Sequence, residues 1–243
     1  MSPNSAFSIV QNQPSTLRRI GLTGGIGTGK TTVSRYLAKT YQLPILDADI
    51  YARNAVKPGS PILKRIADRY GAEILLANGT LNRRYLGQLI FNDAAERQWL
   101  EQQIHPYVRE AFAQEIARFE RIGEEENERE SRGERKDASE SAVSSPDGIA
   151  APIPRTIVLA IPLLFETGMT ERVTETWVVY CSPTQQLERV MQRDRISPEA
   201  AQSRIASQMP LTEKVALADI VLDNSSNLER LLQQVDSALG MRI

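Results

Sequence analysis

Gly21-Leu22-Thr23-Gly24-Gly25-Ile26-Gly27-Thr28-Gly29-Lys30-Thr31-Thr32 holds five glycines and one lysine in twelve residues. A segment so poor in side chains works through its backbone. Gly24 to Thr31 fits G-x-x-x-x-G-K-[ST], the pattern of a phosphate-binding loop between a strand and a helix. Glycines let consecutive N–H groups turn toward phosphate oxygens, and the following helix offers its positive end. Lysine then spans the β and γ phosphates, and the hydroxyl after it suits Mg²⁺. The pattern assigns Gly24, Gly25, Ile26, Gly27, Thr28, Gly29, Lys30, Thr31 and Thr32 to nucleotide binding, with Thr31 as the metal-binding residue. The dinucleotide fingerprint G-x-G-x-x-G fails, because it would need glycine in place of Lys30 or Thr32.

Around this loop the chain alternates between strands and helices. Arg19–Thr23 reads as the strand before the loop and Lys30–Lys39 as the helix after it, with Val33, Tyr36 and Leu37 at helical spacing. Further strands are expected at 44–46, 156–161, 176–181 and 219–222. The runs TIVLAI and TWVVYC lack polar alternation, which suits strands covered on both faces. Helices are expected at 82–90, 184–193, 198–207, 211–217 and from Leu228 onward. Another starts at Ser60-Pro61 and stops at Gly71. A longer one over 93–120 is expected to be interrupted or kinked near His105-Pro106, since proline removes a backbone donor. The fold class is therefore α/β: a phosphate-loop type, doubly wound, parallel five-stranded sheet flanked by helices.

The 243 residues are 41% hydrophobic, and 29 Lys and Arg stand against 30 Asp and Glu. That balance leaves no general basic field for nucleic acid or an anionic membrane. One cysteine, Cys181, and one histidine, His105, exclude a disulfide framework and a His/Cys zinc site. Cys181 reads as a small buried hydrophobe, and Trp99 and Trp177 as core anchors. No apolar run approaches a membrane span and the start lacks a secretory pattern, so a cytoplasmic protein is expected. Residues 1–17 read as a flexible tail. Eleven of the fourteen residues from Glu124 to Asp137 are charged, and 122–154 reads as a disordered insertion.

A phosphate loop alone does not choose between kinases, switches and motors. The strand ending at Ile161 runs into Pro162-Leu163-Leu164-Phe165-Glu166 without the aspartate that often holds Mg²⁺ there. No guanine-reading segment appears either, which disfavours a GTPase switch. Asp47 and Asp49 instead follow the second strand, at the sheet end where ligands bind. On extended backbone the two would face one side. A carboxylate there can orient and deprotonate an attacking hydroxyl. The competing reading makes DAD a helix cap or turn. Arg189 and Arg193 share a helix face; Arg193 is the candidate for transferring phosphates, while Arg189 has a surface ion pair as its default.

With GLTGGIGTGKTT, DADIYAR, GTLNRRYLGQLIF, IHPYV, PLLFE, QRDRIS and ADIVLDNSS in this order, the chain resembles the dephospho-coenzyme A kinases. The resemblance spans about Arg19 to Leu239, apart from the charged insertion. It implies transfer of the ATP γ-phosphoryl group, with Mg²⁺, to the ribose 3′-hydroxyl of dephospho-coenzyme A, by a chain expected to be monomeric. It also implies a nucleotide core over 18–54 and 155–243, a helical lid near 184–215, and a helical acceptor subdomain over 55–121. Asp49 matches the base, so Asp49, Lys30 and Arg193 are the catalytic candidates. Asp49, Leu81, Arg83, Arg84, His105, Pro162 and Leu163 are the acceptor-side candidates, although a lone histidine before proline packs or caps as readily as it binds. The rivals are a nucleoside or nucleotide kinase on the same framework, and a nucleotide-dependent binding switch without an acceptor.

Overall fold

The computed structural model describes residues 17–91, 93–132 and 156–240. The glycine loop's strand lies at the centre of a parallel sheet. β1 (Arg18–Gly24) pairs on one side with β3 (Thr156–Ala160), beyond which lies β2 (Ile45–Asp47). On the other side it pairs with β4 (Glu175–Tyr180), followed by β5 (Ile220–Asp223). The order 2-3-1-4-5 is that of a doubly wound sheet, and the expected five strands are all present. Register places Leu22, Ala160 and Asp47 in one row, so β3 and β2 end together and β1 runs two residues further.

Period two decides which strand residues meet which layer. Val158 packs with Ile20, Leu22, Trp177 and Val179 under α1 (Lys30–Thr40) and the closing helix, whose Leu231 and Val235 are buried. Its neighbours Ile157 and Leu159 join Val108, Phe112 and Ile116 in the opposite layer. Both faces are thus covered, which is why β3 needs no polar residue along its length. No helix among the described residues is long and apolar enough to cross a membrane.

The segment after β2 contains a helix that apolar periodicity did not reveal. α2 (Ala48–Ala55) starts directly from the strand, with the Asp47 carboxylate accepting the Asp49 N–H at 2.9 Å. The extended reading of Asp47-Ala48-Asp49 is therefore corrected. Capping competes with strand continuation for an aspartate, and it satisfies an amide that the helix start would leave unpaired. α3 (Pro61–Tyr70) keeps its expected ends, with Ser60 Oγ accepting the Leu63 N–H and Gly71 at positive φ (83). α4 (Arg83–Phe91) is capped by Asn82, whose side chain accepts from Tyr85. These elements enclose a separate small core of Ile62, Leu63, Ile66, Ile74, Leu81 and Leu86.

α5 (Ala94–Ser131) runs through Pro106 as one helix, so of the expected interruption or kink the interruption does not occur. Val108, Phe112 and Ile116 bury one face of it against the sheet, and Tyr51 of α2 meets Phe112 edge to face at 5.1 Å. That packing outweighs the single backbone bond lost at proline. The helix also extends ten residues into the segment expected to be disordered. Glutamate and arginine are good helix formers, and Arg132 pairs with Glu128 at 3.1 Å, one turn apart. The remainder of that insertion, from residue 133, and the tail up to residue 16 lie outside the described residues. Leu17, assigned to the tail, is buried with Leu46 and Ile157 in the core. After β4 follow α6 (Pro183–Asp194), α7 (Pro198–Ala206), α8 (Leu211–Ala216) and, after β5, α9 (Leu228–Leu239).

Candidate active site

The loop 24–31 bridges β1 and α1 with three left-handed glycines, Gly24 (φ 152), Gly27 (φ 80) and Gly29 (φ 108). At Gly24 space matters as much as the dihedral. A Cβ there would lie 2.7 Å from the Val179 carbonyl oxygen of β4 and as close to the Thr28 hydroxyl. Outward-turned carbonyls of the loop are taken up by protein groups. Gln186 Nε2 donates to the Ile26 oxygen at 2.9 Å, and Asn224 Nδ2 to the Thr28 oxygen at 2.7 Å. The buried Thr28 hydroxyl donates to the Gly25 oxygen at 2.9 Å, so this side chain braces the loop.

The amides divide differently. Thr28 and Thr32 donate within the loop and first turn, and Ile26 donates to Gln208 Oε1 at 2.8 Å. Gly27, Gly29, Lys30 and Thr31 have no protein acceptor for their N–H groups among the described residues. Four donors left unpaired at a helix start, beside the occupied carbonyls of Gly25, Ile26 and Thr28, make a cradle suited to an anion. Lys30 forms no ion pair among the described residues, and the Thr31 hydroxyl is exposed. Both are free to meet a ligand.

The neighbouring strand ends complete the floor. Pro162 and Leu163 lie one residue past β3, half-buried, and the Pro162 oxygen accepts from Thr23 of β1 and from Lys214 Nζ of α8. β2 is two strands from β1, roughly 10 Å at ordinary strand spacing. At its end Asp47 is occupied by capping, while the Asp49 carboxylate is exposed in the first turn of α2. The two aspartates thus separate into one structural and one free carboxylate.

The acceptor-side candidates are less uniform. Arg83 and Arg84 are exposed at the start of α4. Leu81 is 7% exposed and belongs to the small helical core, so it holds the preceding turn in place and offers no surface. His105 is half-buried on α5, two turns before Phe112 on nearly the same helix face. Desolvation lowers its pKa, with Arg109 adding to the shift and Glu101 opposing it.

The two arginines of α6 have different partners. Arg193 is more than half exposed and grips its neighbour Asp194 through two bonds, 2.8 and 3.0 Å. Asp194 also accepts from Arg204, and these bonds hold its carboxyl below the ordinary carboxylate range. Arg189, expected in a surface ion pair, instead lies against the end of β5 and donates to the Asn224 oxygen at 3.0 Å. Since Asn224 itself holds Thr28, Arg189 is the guanidinium tied to the loop. Gln186, Gln208, Asn224 and Lys214 were not singled out as site residues. Only Asn224 carried a signal, at the carboxyl end of a predicted strand. Cys181 is fully buried.

A sequence profile described as dephospho-CoA kinase matches residues 18–123 and 148–230. The stretch it skips falls inside the charged segment. A dephospho-CoA kinase of Trichormus variabilis is 53% identical over 228 residues, 94% of this chain and all of the relative. One of Synechocystis is 46% identical over 229 residues, covering 94% and 98%. Among solved structures, a Thermus thermophilus protein aligns with TM-score 0.66 at 30% identity, covering 93% of this chain and 98% of its own. The dephospho-CoA kinase of Campylobacter jejuni aligns at 0.60 and 24%, covering 91% and 95%, a likeness of fold.

Proposed function

The chain belongs to the dephospho-CoA kinase family, and from that premise we propose how its own residues carry the reaction. The enzyme transfers the γ-phosphoryl group of ATP to the ribose 3′-hydroxyl of dephospho-CoA, giving CoA and ADP. The observation that carries the residue assignments is the cradle of unpaired amides at Gly27, Gly29, Lys30 and Thr31 beside the free Asp49 carboxylate.

In this mechanism the loop amides bind the polyphosphate, and Lys30 spans its outer phosphates. The Asp49 carboxylate orients the 3′-hydroxyl and accepts its proton as the oxygen attacks the γ-phosphorus. The bond from that phosphorus to the bridging oxygen breaks, leaving ADP. Fixing both partners supplies the orientation that a solution encounter lacks. Arg193 belongs to the lid 184–215, where a guanidinium can neutralise transferred charge, but Asp194 holds it; Arg189 is better placed beside the loop.

We place Mg²⁺ at the Thr31 hydroxyl, which fits as a single oxygen ligand. No cluster of three or more His, Cys, Asp or Glu among the described residues suits a metal. The ion would therefore take most of its ligands from phosphate oxygens and water, as Mg²⁺ commonly does. When bound, it neutralises charge on the phosphates. On the acceptor side we assign Arg83, Arg84, His105, Pro162 and Leu163, within a subdomain over 55–121. Arg83 and Arg84 suit the anionic groups of dephospho-CoA. We take the working form to be a cytoplasmic monomer, in keeping with the single buried cysteine.

The test is ADP release with Mg·ATP, offering dephospho-CoA beside nucleosides and nucleoside monophosphates, with product masses measured. Phosphorylation confined to dephospho-CoA, one phosphate heavier, is expected. Equal use of a nucleoside would move the assignment to the rival kinase reading.

A further inference from the structure

The peptide between Gly25 and Gly27 is held from both sides by glutamines of different helical segments. Gln186 of α6 donates to the Ile26 oxygen, and Gln208, between α7 and α8, accepts from the Ile26 N–H. The residue after Gln208 is fixed in turn, for the Met209 N–H donates to the Glu166 carboxylate at 3.1 Å. That carboxylate is paired at 2.8 Å with Lys214, whose side chain is wholly buried. The Lys214 ammonium also donates at 2.8 Å to the Pro162 oxygen, at the end of β3.

A buried ammonium without full pairing is costly, so a lysine in this place specifies geometry more than it adds stability. Its two partners come from one turn, 162–166, and its own helix begins just after Met209. Nothing here touches phosphate directly. The contacts nevertheless run without a gap from the floor at Pro162, through Lys214 and Glu166, to Met209, Gln208 and the loop. We infer that Lys214, Glu166 and Gln208 form a positioning relay that holds the Ile26 peptide, and with it the curvature of the phosphate loop, in register with the lid. Gln186 is the fixed jaw, seated on α6. Gln208 is the adjustable one, because it lies between two helices.

The consequence is specific to one substrate. Releasing Gln208 leaves the Ile26 N–H without its acceptor and frees the turn that leads into Gly27, where the unpaired amides begin. Nucleotide affinity should suffer and acceptor affinity should not. This consequence rests on the loop's role as the phosphate cradle, so the relay needs a readout that requires no nucleotide. Amide hydrogen exchange at Ile26 in the full chain provides it.

Gln208→Met, which keeps length but loses the acceptor, and Glu166→Ala, two contacts away, should each speed that exchange by about tenfold. Glu166→Gln keeps an acceptor oxygen for Met209 but removes the charge facing Lys214, and should fall between wild type and Glu166→Ala. If Glu166→Ala fails to fold, Gln208→Met still decides the matter. In Gln208→Met, which leaves the Lys214 contact with Pro162 intact, KM for ATP should rise about fivefold or more, with KM for dephospho-CoA within about twofold. Unchanged Ile26 exchange in Gln208→Met would overturn the relay, as would unchanged exchange in Glu166→Ala. Faster exchange with unchanged ATP binding would leave the relay standing and overturn the phosphate reading of the loop instead.

Discussion

Replacing Gly24 by alanine strains the loop in a way that can be worked from the coordinates. The backbone there has φ 152, and the added methyl would lie 2.7 Å from the Val179 carbonyl oxygen. Gly24 and Val179 are register partners across β1 and β4, so the oxygen cannot retreat without opening the sheet. Holding a non-glycine residue in such a conformation costs on the order of 1–3 kcal/mol. Forcing a methyl into filled space adds roughly the same again. The expected loss is therefore about 2–6 kcal/mol, a large share of a typical domain stability of about 5–15 kcal/mol. Gly168→Ala is the matched control: it also has a positive φ, 65, but no atom lies within 4 Å of the added methyl. It should lose only about 1–2 kcal/mol. Urea unfolding of the three proteins at one pH gives both differences, and titration with ATP shows whether the loop has moved. Gly24→Ala proving no less stable than Gly168→Ala would refute the steric argument.

Arg189→Met should weaken ATP binding by about tenfold, because Arg189 supports the Asn224 turn that holds Thr28. Arg193→Met, which breaks only an exposed pair with Asp194, should leave ATP binding within about twofold. Calorimetric titration of both variants checks the ranking, and the reverse order would contradict it. A separate expectation concerns pH. Burial lowers the pKa of His105 below its ordinary 6.5, so the unfolded chain binds that proton more readily than the folded one. The stability is complete above the unfolded value and is lost as pH falls from about 6.5 toward the folded value. The urea midpoint should decline between pH 7 and 5.5, and His105→Gln should remove that decline. An identical slope in the variant would assign the effect to another group.

The phosphate loop was legible because its function is written in spacing: glycines where the backbone must turn, then lysine and threonine at fixed offsets. β3 and β4 were legible because they are covered on both faces and so read as nearly unbroken apolar runs, and β1 because the glycine loop needs a strand before it. α2 was not, since its start is fixed by one side chain, Asp47, capping an amide two residues on. A sequence shows an aspartate there without showing whether it continues the strand or caps a helix. Arg189 was misplaced for a related reason. Arg189 and Arg193 share a face, and only the approach of the β5 turn and the neighbouring Asp194 distinguish them. Gln186 and Gln208 left no pattern, because each serves one backbone group of a distant residue. The helical run past residue 122 was hidden by composition, which reports the lack of a core but not the local support from charged pairs.

The central claim joins a backbone cradle for ATP to one free carboxylate for the acceptor hydroxyl. Asp49→Asn keeps the size of the side chain and removes only its ability to take the proton. Measured with Mg·ATP and dephospho-CoA, the variant should bind ATP within about twofold of wild type while its kcat falls at least ~10². Wild-type turnover by Asp49→Asn would contradict the account.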